Sequence, residues 1–301
     1  KGINLDTSLE LTPESVKGTF VYAKPNFNNT DNTLFTSLKS STNDFLSNSG
    51  YKTSELGFSL GTKFEQFQNI FLSPEIDFLL EDLETSNKAS DVLKKQEGSY
   101  TDLYFNYTIN QDLRDRKFRT QDGYQTFFSQ EIPLISDNSE FSNAFEVSKF
   151  KKLSTKSDTI GKISFFAKTI TGLSDDVRIS KRLNIPTNRL RGFEKGRVGP
   201  KDNNDYVGGN HITTLNLSAT LPNILEDLDN LDIGVFFDAA NIWGVDYNSS
   251  LDDKSTIRTS TGIAFNLLTP IGPLSFSFAN ALTKASSDQT ETFRFRLGTQ
   301  F

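Results

Sequence analysis

Few side chains in this sequence are suited to making or breaking bonds. There is one histidine, His211, and no cysteine. A hydrolase would need a nucleophile beside a histidine, or paired acids on one face. The adjacent acids Asp175-Asp176 and Asp252-Asp253 instead lie in polar stretches and read as solvated charge. No HExxH, Walker-type or GxSxG spacing occurs, and a zinc site would have no thiolate to use. His211 reads as structural, and Trp243, the one tryptophan, as an interfacial anchor. No catalytic residue, metal site or cofactor is expected. What the residue types favour is an ion pair. A stretch of about 173–209, too long for a simple connector, carries Arg189, Arg191 and Arg197. Such a loop either hangs outside the fold or turns into it, where an arginine needs a carboxylate. Asp238 is the candidate partner: it alternates with Val235, Phe237 and Ala239, so it faces away from an apolar set.

The elements that must position this pair are strands. At the C-terminus Phe293, Phe295, Leu297 and Phe301 alternate with polar residues that include Arg294, Arg296 and Gln300. The same period of two returns in Leu274, Phe276 and Phe278, in Ile257 through Leu267, in Leu56, Phe58 and Leu60, and in Ile3, Leu5, Thr7, Leu9 and Leu11. Phenylalanine supplies 27 of the 301 residues, yet mean hydropathy is −0.43 and no run approaches the ~18 apolar residues of a spanning helix. In lipid every backbone polar group must be paired internally, so strands with one greasy and one polar face imply a closed barrel. The fold class expected is therefore all-β: a transmembrane antiparallel barrel forming one domain over 1–301. About fourteen strands are expected, near 2–11, 16–25, 33–43, 51–64, 68–82, 97–110, 121–134, 140–150, 157–172, 210–221, 231–243, 256–268, 272–283 and 290–301. Short turns are expected at 12–15 and 269–272, a long polar loop at 83–96, and an unstructured loop at 173–209 that folds into the lumen. A net charge of −6 disfavours nucleic acid as a partner.

Several of these segments resemble one family. Arg191-Gly192-Phe193 is similar to the RGF core of the sixth-loop motif of the BamA family of outer-membrane assembly proteins, with Leu190 where Val or Ile is usual. Phe237-Asp238-Ala239-Ala240 resembles the strand motif that meets it, with Ala240 in place of the commoner Gly. Gly272 through Ala279 resembles the family's next-to-last strand, and Asp115-Arg116, Phe118, Thr120 and Asp122-Gly123 its mid-barrel turn.

The resemblance implies a barrel of about sixteen strands preceded by periplasmic POTRA domains. Lys1 would fall at the third strand, so two strands and the POTRA array are expected upstream. It further implies an outer-membrane location and an insertase that folds other barrels at the seam between first and last strands. A two-partner secretion pore is the alternative, and a passive porin is disfavoured. Implied partners are outer-membrane lipid (lipopolysaccharide or phospholipid), unfolded outer-membrane proteins, and accessory lipoproteins that bind through POTRA domains. In the site, Arg191 would latch to Asp238, Gly192 would allow close backbone approach, and Phe193 would pack on the inner wall. Phe293, Phe295, Leu297 and Phe301 would form the seam and C-terminal signal.

Overall fold

The computed structural model describes residues 2–117, 119–154, 158–222, 230–248, 251, 255–269 and 272–297. Its first nine strands are β1 (Asn4–Thr12), β2 (Ser15–Lys24), β3 (Thr33–Phe45), β4 (Tyr51–Phe67), β5 (Ile70–Thr85), β6 (Gly98–Asp112), β7 (Asp122–Ser136), β8 (Glu140–Lys152) and β9 (Ile160–Gly172). A two-residue hairpin follows, β10 (Lys201–Asp202) with β11 (Asp205–Tyr206). The series ends with β12 (His211–Pro222), β13 (Leu231–Trp243), β14 (Arg258–Thr269), β15 (Gly272–Thr283) and β16 (Phe293–Leu297). All except β10 and β11 form one antiparallel sheet of 14 strands, each paired to its neighbour in order from β1 to β16. It is a membrane-type barrel wall, and each of the fourteen expected strands is present. β1 and β16 stand at the two ends of that order.

The exposure pattern reverses that of a soluble domain. On one face lie Ile263, Phe278, Phe293 and Phe295, each 45–50% exposed. Register carries this apolar face across strands, with Ile263 opposite Phe278 and Phe276 opposite Phe295. The other face buries small polar groups: Ser148 and Ser164 hydroxyls meet at 2.8 Å, and those of Ser37 and Ser59 at 2.7 Å. A sheet buried on its polar side and exposed on its apolar side is what a lipid solvent selects.

The apolar core is therefore not between two sheets. One cluster joins Val177, Leu183, Leu190, Phe193 and Val198 of the long loop to Ile170, Ile212, Ala240 and Ile242 of the wall. A second joins Ile179 and Val207 to Tyr51, Leu83, Leu93 and Val245. Two expectations need correction. The 173–209 loop is not devoid of regular structure, since it holds the β10–β11 hairpin and a bridge between Leu183 and Gly209. Nor is 83–96 simply a polar loop: β5 runs to Thr85, and a helical turn, α1 (Asp91–Lys94), buries Leu93. Docking against the rest of the protein stabilises both short pieces, which are too small to persist alone.

Candidate functional site

The inward face of β13 presents Phe236, Asp238 and Ala240, all buried, between the outward Val235 and the half-buried Phe237 and Ala239. Asp238 meets Arg191 there. The guanidinium donates from Nε to Oδ2 at 2.8 Å and from Nη2 to Oδ1 at 2.7 Å, and the Arg191 backbone N–H adds a third bond to Oδ2 at 3.1 Å. Asn216 of β12 donates from Nδ2 to Asp238 Oδ1 at 2.8 Å and to the Arg189 carbonyl at 2.7 Å. The Arg191 guanidinium also lies 3.4 Å from the centre of the Phe236 ring. A forked, charge-assisted pair beneath an aromatic face fixes both position and orientation.

The neighbouring loop residues carry this anchorage to the last strands. Gly192 has φ +86°, and a Cβ there would lie 3.1 Å from the Ala279 Cβ and 3.4 Å from the Ser260 Cβ. A side chain would thus meet both a left-handed backbone and the wall. The Gly192 carbonyl accepts from Glu291 N–H at 3.1 Å. Phe193 is 2% exposed within the loop–wall cluster and bridges Thr290, and its carbonyl accepts from Arg294 Nη2 at 2.5 Å. Phe293 and Phe295 of β16 point outward, away from this contact. Leu297 ends the described part of β16, and Phe301 lies outside the described residues.

A second set of contacts has no counterpart in the sequence reading. Arg178 is fully buried at the start of the loop. It donates from Nη2 to Asp102 Oδ2 of β6 at 2.5 Å and from Nε to Glu140 Oε1 of β8 at 3.3 Å, and it stacks 4.2 Å above Tyr100. Nearby, Ser180 donates to Glu81 Oε1 at 2.5 Å, and Lys181 Nζ lies 3.6 Å from Glu81 Oε2. The acids around it hold the Arg178 charge: burial opposes it, but Glu140, Glu81 and Asp102 raise its pKa further above the ordinary arginine value. Arg182 pairs with Asp246, which also accepts from the Val177 N–H at 3.1 Å and from Asn210 Nδ2 at 2.9 Å. Burial opposes ionisation of Asp246, yet Arg182 and those donors prevail and hold its carboxyl below the usual range.

Further along, Arg189 reaches Glu146 at 2.6 Å and Arg258 of β14 pairs with Asp288 at 2.9 Å. Arg197 donates to Gln289 Oε1 and Asn48 Oδ1, each at 2.7 Å, and Lys195 sits 3.3 Å from Glu14 in the β1–β2 turn. The loop thus touches connections at both ends of the sheet order. Asp175 and Asp176 are exposed, Asp252 and Asp253 lie outside the described residues, and His211 stacks on Trp243 with ring centres 5.5 Å apart. Among the described residues no cluster of three metal-ligating side chains occurs. The arrangement holds a loop against a wall, with a cavity of about 440 Å³ left between Tyr104, Asn106, Glu131, Lys168 and Lys181.

Comparison with known proteins gives the same picture. The Omp85 superfamily domain matches residues 1–301. The outer membrane protein assembly factor BamA of Neisseria meningitidis serogroup B (strain ATCC BAA-335 / MC58) is 32% identical over 139 residues, covering 37% of this chain and 17% of that protein. BamA of Neorickettsia risticii (strain Illinois) is 24% identical over 218 residues, covering 71% of this chain and 29% of that protein. The chain therefore aligns with less than a third of either curated relative. The crystal structure of BamA from Haemophilus ducreyi lacking POTRA domains 1-3 superposes with a TM-score of 0.84 at 22% identity, over 98% of this chain and 64% of that one.

Proposed function

Because this chain belongs to the Omp85 superfamily and is an outer-membrane β-barrel, we propose that it is the membrane part of an assembly factor that folds and inserts other barrel proteins. The observation that carries the proposal is the loop anchorage on the wall of a superfamily barrel: Arg191 forks onto Asp238, and the adjacent Gly192 and Phe193 carbonyls hold Glu291 and Arg294 beside β16. A strand edge with unpaired N–H and C=O groups templates the addition of another strand. An incoming substrate strand gains backbone hydrogen bonds there, which lipid cannot supply. The activity needs no catalytic group and no cofactor; its chemistry is backbone pairing.

In this proposal the Arg191–Asp238 latch braces the edge. It fixes Gly192 and Phe193, whose carbonyls hold Glu291 and Arg294 at the start of β16. The last strand then keeps its register while its free side exchanges partners. Substrates would be unfolded outer-membrane proteins, with outer-membrane lipid as the solvent.

The test uses the complete protein in its own cells. A photoreactive residue in place of Phe295 on β16 should capture many newly made barrel proteins, and depletion should lower those proteins together. Loss of one secreted polypeptide with barrel proteins unchanged would overturn the assembly reading in favour of a secretion pore.

A further inference from the structure

Charge is unevenly distributed around the barrel. The start of β1, the end of β16 and the short connection at 68–69 lie at one end of the barrel, opposite the 173–210 loop, and in outer-membrane barrels this end faces the periplasm. At that end the described residues of 112–122 and 149–162 include eight Lys or Arg against four Asp, although the whole chain carries six more acids than bases.

Several of the basic residues are already spent inside the protein. Arg114 pairs with Asp112, Arg116 with Asp115, Arg119 with Asp232 at 2.8 Å, and Lys152 with Asp158. Lys149 and Lys151 are different. Both are exposed, and they continue the outward row of β8 that contains Phe145, 41% exposed, and Val147. Lys149 stands opposite Tyr124 on β7 and Ile163 on β9, with its ammonium 5.6 Å from the Tyr124 ring centre. Lys151 stands opposite Asp122, whose Oδ1 accepts from the Gly123 N–H at 2.7 Å. Leu153, 61% exposed, follows them. Outward apolar rows that end in a tyrosine and two exposed lysines are how a lipid-facing wall meets a headgroup layer. The ring sits at the interface while the ammonium groups reach into the phosphates.

We propose that the β7–β9 sector of the periplasmic rim is a docking surface for anionic phospholipid headgroups, with Lys149 and Lys151 as the phosphate contacts and Tyr124 as the interfacial platform. This sector lies in the middle of the strand order, away from β16. A barrel gripped there by lipid is held on that wall while β16 stays free to move. The inference rests on the outer-membrane barrel fold, not on the assembly activity, so either can fail without the other.

The test is titration of the purified full chain, in uncharged detergent, with short-chain phosphatidylglycerol or phosphatidylcholine, followed by native mass spectrometry. Phosphatidylglycerol should bind in preference, and K149Q/K151Q should weaken it by on the order of tenfold, the scale of two interfacial charges. K149R/K151R should retain it. A third variant, K39Q, alters a lysine on β3 and should change nothing. Equal binding of the two lipids by the parent protein, or unchanged phosphatidylglycerol binding in K149Q/K151Q, would overturn the proposal.

Discussion

The loop is held to the wall at several places, and two of them differ in how they treat water. At its start Arg178 is wholly excluded from solvent, with both carboxylate partners 2% exposed or less. Farther along, the Arg191 side chain keeps about 20% of its surface exposed while Asp238 is fully buried. Asp238 has further donors in Asn216 and the Arg191 backbone N–H. Asp102 is left with the Ser136 hydroxyl, and Glu140 with the Tyr104 hydroxyl and the Arg178 backbone N–H. The first anchorage thus holds two acids on one wholly buried cation, and the second is a fork that water partly reaches. Desolvated charge gains most from its partner and loses most without it.

The largest effect should come from breaking the buried network. Arg178→Met removes the cation and leaves the buried Asp102 and Glu140 without a counter-charge, at a cost of about 3–5 kcal/mol. Heat- or urea-unfolding of the protein in detergent should show the loss. A change smaller than that of Arg191→Ala would reverse the comparison.

Next comes the fork. Arg191→Ala and Asp238→Ala should each destabilise the fold by roughly 2–3 kcal/mol, the range for hydrogen bonds to charged groups at a site that water partly reaches. Because each removes the same interaction, the double variant should be little worse than either single one. Strictly additive losses in that cycle would show that the pair is not coupled.

These two anchorages also differ in how far the sequence displays them. The strands were legible because lipid inverts the exposure rule, so rows such as Phe276, Phe278, Phe293 and Phe295 alternate cleanly with polar residues. Arg191 and Asp238 could be matched because strand parity points Asp238 inward and a short motif marks the loop. Arg178 carries no such mark. Its partners lie 76 and 38 residues away, and inward-facing strands hold several other acids, among them Glu75, Asp77 and Glu131, with which it does not pair. A hint was present in Val177, Ile179 and Leu183, apolar residues interleaved with Arg178 and Arg182 in a loop that solvent alone would have made polar. The β10–β11 hairpin and α1 were invisible for another reason: both are stabilised by docking and not by local preference.

A third prediction uses pH to separate the network's members. Asp246 has a lowered pKa in the folded state, so it contributes stability that is complete above its unfolded value of about 4 and is lost as pH falls through the folded value. Melting temperatures of the parent and Asp246→Asn should therefore differ at pH 7 and converge as pH drops below about 4. A gap that persists unchanged at low pH would assign the stabilisation to the hydrogen bonds of Asp246 and not to its charge.

The smallest effect is expected where the loop crosses toward the other end of the sheet. Lys195 and Glu14 are 3.3 Å apart, but the lysine is 50% exposed and the carboxylate 27%. Exposed pairs of this kind contribute about 0–1 kcal/mol and are screened by salt. Glu14 has a second contact, accepting from Asn48 Nδ2 at 2.7 Å, while Asn48 Oδ1 accepts from Arg197. Lys195→Ala should therefore leave unfolding within a few tenths of a kcal/mol of the parent, and 0.5 M salt should erase the difference. If instead Lys195→Ala rivalled Arg191→Ala, the contact would have to act on more than its own pair. A disulfide between cysteines placed at Lys195 and Glu14 would check that directly: unchanged assembly of barrel proteins with the tie locked means the activity proceeds without releasing this end of the loop.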